Sequence, residues 1–327
     1  MAKASLSDHD FITAFEEHGP ARVAAQLKLS IRAVFARRRD IELRTGQTIK
    51  APTPDRRAGQ GGVNQSAVYQ NTIFPERQHI EIEDGIILVG SDCHYWPGTA
   101  TTAHLAFLKF CKMFRNDLVA VVLNGDVLDG AGISRHAPIG WEKRPTLIQE
   151  LEAVQERLGE IEKATGDVPK IWTLGNHDAR FETRLAMVAP EYAKINGVHL
   201  KDHFGRWLTA WRVDINDDCV IKHRFKSGIH APWNNTMWAG KSIITGHLHS
   251  QKVYPFTDYR ATRWGCDTGC MADPEGRQFV DYLEAGPTNW RSGFGVITYY
   301  KGQMLQPELV RVMGNGLVDF RGKVWEF

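Results

Sequence analysis

The chain has 327 residues and 43% hydrophobic content, enough for one large domain with its own core and a small appendage. Its formal net charge of +2 assigns no class of partner, so only the local distribution of charge is informative. No apolar run approaches the roughly 18 residues of a membrane span, and the opening Met-Ala-Lys-Ala-Ser-Leu-Ser-Asp-His-Asp lacks an apolar signal core. Five cysteines, an odd number between Cys93 and Cys270, do not form a disulfide framework and point to a reducing cytoplasm.

Residues 1–45 read as a small helical unit. Asp8 or Asp10 is placed to cap a first helix carrying Phe11, Ile12 and Phe15, which Gly19 stops. Pro20 suits the first turn of a second helix over 21–28, and Ser30 is placed to cap a third over about 31–44. The phrase Val23-Ala24-Ala25-Gln26-Leu27-Lys28-Leu29-Ser30 resembles the core of a helix-turn-helix. Arg32, Arg37, Arg38 and Arg39, with Arg44 further on, give the last helix a basic face expected to attract DNA backbone. The structural alternative is a solvated basic helix used for packing. Residues 46–66, rich in Gly, Pro and polar groups, read as a flexible linker, leaving 67–327 as a second domain.

From about residue 79 strands alternate with helices, which implies a layered α/β domain. Gly85–Gly90 is a short buried strand ending in Ser91-Asp92-Cys93-His94. A helix over 100–114 and a strand over 118–123 lead to Asn124-Gly125-Asp126. A helix over 145–163 and a strand over 170–174 lead to Gly175-Asn176-His177-Asp178. Two further apolar runs, 219–222 and 242–245, end at His223 and at Gly246-His247-Leu248-His249. An extended backbone would place the imidazoles of His247 and His249 on one side. Residues 293–312 read as two closing strands.

Each polar cluster falls at the carboxyl end of a strand, where open α/β sheets build their sites. Together they offer carboxylates, imidazoles and one amide oxygen. That mixed set suits borderline divalent ions, with manganese foremost and iron, zinc or nickel as alternatives. The candidates are too many for a single ion with an open position, and two ions sharing a carboxylate would use them. Of the later histidines, His223 ends a strand directly, whereas His230 lies in a turning Gly-Ile-His-Ala-Pro stretch and is kept as a substrate-binding residue. His136, His199 and His203 are expected to lie outside the site. Ala239-Gly240-Lys241-Ser242 mimics a phosphate loop but lacks its upstream glycine, where Asn235 stands.

In order, Asp92-x-His94, Gly125-Asp126-x-x-Asp129, Gly175-Asn176-His177-Asp178, a later histidine and Gly246-His247-x-His249 resemble the calcineurin-like metallophosphoesterases over about 85–250. The resemblance implies a four-layer β-sandwich flanked by helices. It implies one ion on Asp92, His94, Asp126 and His249, and another on Asp126, Asn176, His223 and His247. His177 would then donate a proton to the leaving oxygen, oriented by Asp178, with Asp129 supporting its loop. Arg180, Arg224 and Lys226, beside motif residues, are candidate phosphate ligands.

The sequence thus supports a metal-dependent phosphodiesterase or nuclease brought to DNA by its N-terminal unit. The alternatives are a phosphatase of small phosphomonoesters or nucleotides, and a DNA-binding regulator with a non-catalytic phosphoesterase domain. Trp233, Trp238 and the aromatic and arginine residues of 251–291, Trp290 among them, are candidates for base stacking.

Overall fold

A computed structural model of the chain describes residues 6–52, 75–134, 141, 143–279, 283 and 286–327. Most of the expected linker, 53–66, and His136 lie outside the described residues. Contacts divide the chain into Met1–Val68 and Tyr69–Phe327.

The first unit holds α1 (Asp8–Leu27) and α2 (Ile31–Thr45). Gly19, with φ 74° and ψ 169°, breaks α1, and Pro20 opens its second half, so three helical segments result. Ser7 and Ser30 cap the two helices by accepting the amides of Asp10 and Ala33. Phe11, Phe15, Val23, Val34 and Ile41 form the core. Several arginines are spent holding this unit together. Arg37 donates to the Leu6 carbonyl and Asp8 and lies 4.7 Å from the Phe11 ring centroid. Arg38 pairs with Glu42, and Arg44 pairs with Asp8 and Asp40. Arg32 and Arg39 are exposed. The face available to phosphate is therefore narrower than the run of arginines implies.

In the second unit the elements follow as β1 (Arg77–Ile80), β2 (Gly85–Gly90), α3 (Thr102–Met113), β3 (Leu118–Asn124), α4 (Leu147–Thr165) and β4 (Lys170–Thr173). Next come α5 (Asp178–Val188), α6 (Leu200–His203), β5 (Leu208–Ala210), β6 (Arg212–Ile215), β7 (Cys219–Ile221) and α7 (Ala231–Ala239). The chain closes with β8 (Ser242–Thr245), β9 (Lys252–Thr257), β10 (Thr262–Asp267), β11 (Gly293–Tyr300), β12 (Gln303–Met304), β13 (Glu308–Gly314), β14 (Leu317–Phe320) and β15 (Lys323–Glu326).

These strands make two sheets. One runs β15-β14-β13-β11-β2-β3-β4-β5, with β12 paired to β11, and the other runs β1-β6-β7-β8-β10-β9. Successive side chains of a strand point to opposite faces, and the central strands are apolar on both. Ile87, Val89, Ala120 and Val122 meet Val213, Ile221, Ile244 and Cys266 of the second sheet in one core. Leu88, Val121 and Leu123 instead join Phe107, Phe110, Leu151 and Val154 of α3 and α4. Helix α7 packs against β8, β9 and β10 on the far side. The result is four layers: helices, sheet, sheet, helix. Thr146 and Gln149 close α4 with a reciprocal capping box, worth about 1 kcal/mol.

The strands β2, β3, β4 and β5 are parallel, as are β7, β8 and β10, so their carboxyl ends open on common rims. The phosphate-loop mimic is disposed of by order: Gly240 ends α7 in a left-handed turn before β8, the reverse of the strand-to-helix passage a phosphate loop needs. Among the described residues no helix is long and apolar enough to cross a membrane.

Candidate metal centre

The loops after β2 and β3 run side by side, with the amides of Asp92 and His94 donating to the carbonyls of Gly125 and Asp126. This register brings Asp92, His94 and Asp126 to one buried point. The loops after β4, β7 and β8 add the rest. Asp92, His94 and His249 offer donor atoms within 4.8 Å of one another, as do Asp126, His223 and His247, and also His94, Asp126 and His177. His223 is the later histidine that enters the site, its Nε2 lying 3.1 Å from Asp126 Oδ2. His230 caps α7 and is exposed. His199 is bonded to Glu182 and the Ala193 carbonyl, and His203 to the Gly197 carbonyl, away from this cluster.

The backbone that presents these groups is strained. Asp92, His94, Asp126, His247 and His249 all have positive φ, between 40° and 71°, a region that costs non-glycine residues about 1–3 kcal/mol each. This corrects the expectation of an extended backbone at 247–249. β8 stops at Thr245, and the two left-handed turns send His247 beside His223 and His249 beside Asp92. The flanking glycines have a steric cause. A Cβ on Gly175 would stand 2.0 Å from Asp126 Oδ1, and one on Gly246 would stand 2.4 Å from Asp92 Oδ2.

Hydrogen bonds fix which atom of each ligand faces inward. His94 Nδ1 lies 2.8 Å from Asp129 Oδ1, and His223 Nδ1 donates to the Asn124 carbonyl at 2.8 Å. His94 Nε2 and the Asn176 Oδ1 are buried without a hydrogen-bond partner, and His223 Nε2 faces only the Asp126 carboxylate. Native proteins rarely leave such atoms orphaned, and His94 Nε2 lies 4.0 Å from Asp126 Oδ2. The donor set therefore fits divalent metal, whose imidazole ligands are commonly oriented through the other ring nitrogen as His94 and His223 are.

The electrostatics agree. Burial pushes the Asp126 carboxyl up, yet His223 and His177 more than offset this and hold it well below its ordinary value. Burial likewise lowers the His223 imidazole, but Asp126 and Asp92 raise it to about 10. His94 and His247 are lowered, chiefly by burial. A cation would replace the proton that the paired carboxylates hold on His223.

His177 sits at the edge of the cluster, its Nε2 3.9 Å from Asp126 Oδ2. The expectation that Asp178 orients it is corrected. Asp178 accepts the backbone amides of Asp126, Val127, Leu128 and Gly175 and the Trp172 indole, at 2.8 to 3.0 Å. It is a clasp for the Asp126 loop, and burial together with the Asp126 charge pushes its carboxyl up to about 6. The groups at His177 Nδ1 are the Asp129 carbonyl at 2.8 Å and Asp129 Oδ1 at 3.2 Å. Asp129 thus supports His94 and His177 together. Arg180 donates to the same carbonyl and lies 3.0 Å from His177 Nε2.

Arg224 lies on the opposite flank. With Phe225, Lys226, Ser227, Gly246, His247 and Leu248 it lines a cleft of about 120 Å³. Three supporting residues were not anticipated. Glu150 accepts the amides of Gly130 and Gly132 behind Asp129, and burial beside that charge raises it to about 7. Asp267, at the end of β10, is likewise raised to about 7 by burial and accepts from Gly269 and Ser250. The strand-end rule that found the ligands also covers Asp267. Phe279 packs its ring 5.0 Å from His94 and 4.9 Å from Trp290, which stands 4.4 Å from His249. No spacing in the sequence marks Phe279.

Comparisons with known proteins follow the same lines. The chain is 28% identical over 224 residues to the Gene 54 proteins of Mycobacterium phages D29 and L5, covering 63% of this chain and 86% of each relative. Among solved structures it is similar to Vps29 from Chaetomium thermophilum, with a TM-score of 0.40 and 10% identity over 74% of this chain and 97% of that one. A Vps29 single mutant from Entamoeba histolytica gives 0.39 and 12%, covering 74% and 99%. The sequence profile of the calcineurin-like phosphoesterases matches residues 86–267, more than half of the chain and all of the strand-end clusters. The protein belongs to the calcineurin-like phosphoesterases, metal-dependent hydrolases of phosphate esters.

Proposed function

We propose that the protein is a phosphodiesterase acting on nucleic acid, with two divalent ions held around Asp126. The observation that carries this reading is the convergence of His94, His223, His247 and His249 on the buried carboxylates of Asp92 and Asp126, with His94 Nε2 and the Asn176 Oδ1 left buried and unpartnered. Asp92, His94, Asp126 and His249 would hold one ion. Asp126, Asn176, His223 and His247 would hold the other, with manganese the first to test. When bound, such a pair makes a water nucleophilic near neutral pH and offsets phosphate charge. Asp129 holds the rings of His94 and His177 in place. His177, raised above its ordinary value by Asp126 and Asp129 against the effect of burial, supplies a proton to the leaving oxygen. Arg224, which lines the cleft beside His247, would contact phosphate oxygens, and Arg180 would do so on exchanging its bond to the Asp129 carbonyl for one to substrate.

The cleft beside His247 is lined by the cations Arg224 and Lys226, which supports a substrate bearing phosphate. In the N-terminal unit, the exposed Arg32 and Arg39 support a role in bringing the enzyme to DNA.

The test is the kcat/KM of manganese-loaded protein on bis-p-nitrophenyl phosphate against p-nitrophenyl phosphate. The diester should be preferred, and His177→Ala should lower its turnover by about 10²-fold or more. A preference for the monoester would replace this reading with a phosphatase. Full turnover in Asp126→Asn would end it. Arg32→Glu with Arg39→Glu should weaken duplex DNA binding, with a smaller salt dependence.

A further inference from the structure

Between Asp218 and Asp258 the chain contains no aspartate or glutamate, while Lys222, Arg224, Lys226, Lys241 and Lys252 fall within it. This acid-free stretch carries three of the candidate ligands, His223, His247 and His249, so its charge is local to the site. It also folds into α7, which leaves its largest apolar side chains exposed. Ala231, Pro232, Asn235 and Thr236 are buried, whereas Trp233 is 40% and Trp238 65% exposed. Phe225, on the loop before α7, is 43% exposed. Phe225 and Trp238 flank the Lys226 ammonium at 5.6 and 4.9 Å, and exposed aromatics grouped in this way mark an interaction surface.

The surface is one piece with the cleft. Lys226, a cleft residue, donates its amide to the buried Asn235 of α7 at 2.8 Å, and its ammonium lies 4.9 Å from the Trp238 ring. Lys252 reaches the Ile229 carbonyl on the same loop, and Trp233 packs on Phe256 of β9 at 5.2 Å. Cations interleaved with exposed flat rings, with the nearby Asp258 carboxylate paired to Arg263, complement a polyanion whose bases are free to stack. A duplex keeps its bases inside and offers the rings nothing.

We infer that the outer face of α7 and the 224–227 loop form a track for single-stranded nucleic acid, leading the strand to the metal cleft. The inference rests on the phosphodiesterase reading and names its substrate as a single strand. Phosphates run along Arg224 and Lys226, and a base stacks on Trp238.

The probe is a fluorescein-labelled 20-nucleotide oligo-dT, followed by anisotropy with the full chain in chelator, so that binding is read without hydrolysis. The Arg32→Glu, Arg39→Glu form, in which duplex binding by the N-terminal unit is weakened, should bind it more tightly than a duplex of equal length. Trp238→Ala should weaken binding about tenfold, and Trp238→Phe should restore most of it. Lys226→Ala should reduce the slope of log K against log salt by about 0.7. Failure of the wild type to bind, or oligo-dT affinity unchanged in Trp238→Ala, overturns the track. So does a dimer of the chain that Trp238→Ala dissociates, since a second copy would then own the face. Turnover of bis-p-nitrophenyl phosphate, which has no strand to lay along the track, reports on the metal site. Intact turnover without oligo-dT binding removes only the track, whereas absent turnover in the wild type removes the phosphodiesterase reading itself.

Discussion

Replacing Asp129 by asparagine separates support of the ligands from support of the fold. Its Oδ1 lies 2.8 Å from His94 Nδ1 and 3.2 Å from His177 Nδ1, and burial fails to raise it because those two histidines hold it well below the carboxylate range. The amide keeps the shape and removes the charge. The His177 bond to the Asp129 carbonyl survives, so the loss falls mainly on His94. Groups that orient a metal-bound imidazole are worth about 10–100-fold in metal affinity or activity, roughly 1.4–2.7 kcal/mol. Manganese titration of metal-free protein, followed by hydrolysis of bis-p-nitrophenyl phosphate, should show weaker binding and lower kcat/KM in that range. The unfolding midpoint of the metal-free form should move little. Affinity and turnover both within twofold of wild type would refute the assignment of Asp129 as the shared support.

Asp178→Asn should behave in the opposite manner, because an NH2 group would confront backbone amides that now donate to a carboxylate. One buried donor left unsatisfied costs about 1–3 kcal/mol, so thermal unfolding should occur roughly 5 °C lower; an unchanged midpoint would contradict the clasp. Gly246→Ala should abolish hydrolysis in protein that still folds, since its Cβ would displace Asp92 Oδ2 from 2.4 Å, and wild-type kcat would show the motif glycine to be dispensable. His104 supplies a test in pH. Burial lowers it to about 4, with Tyr95 bonded to Nδ1 and Glu160 to Nε2. A base depressed on folding stabilises fully above its unfolded value of about 6.5, and that stability is lost as pH falls towards 4. Urea unfolding should therefore lose about 1.4 kcal/mol per pH unit from this group over that window, and His104→Gln should remove the dependence.

Much of the centre was legible because its ligands sit where apolar runs stop, and a run ending in Asp-x-His or Gly-His-x-His is visible in the letters alone. The partners of those ligands were not. Asp178 follows His177 in the chain, yet helix α5 starts there and turns its carboxylate back onto the Asp126 loop, whereas Asp129, distant in sequence, arrives through the β2–β3 register. The positive φ values at His247 and His249 could not be read from a period-two pattern, since that pattern presumes the strand continues. In the fold, β2, β3 and β8 were clear from continuous β-branched runs buried on both faces. β9, β14 and β15 were not: β9 and β15 have exposed positions, β14 is buried only at alternate residues, and β9 contains Pro255, tolerated at the edge of its sheet. The arginines of α2 were legible as charge but not as internal partners, because Asp8 comes from the start of the other helix.

The most direct measurement is the metal content of the purified, manganese-loaded chain by elemental analysis, alongside that of Asp126→Asn. Two ions per wild-type chain, falling to one or fewer in the variant with loss of diester hydrolysis, is the predicted result. Two ions retained by Asp126→Asn, or hydrolysis that survives exhaustive chelation of the wild type, would contradict the shared carboxylate at the centre of the site.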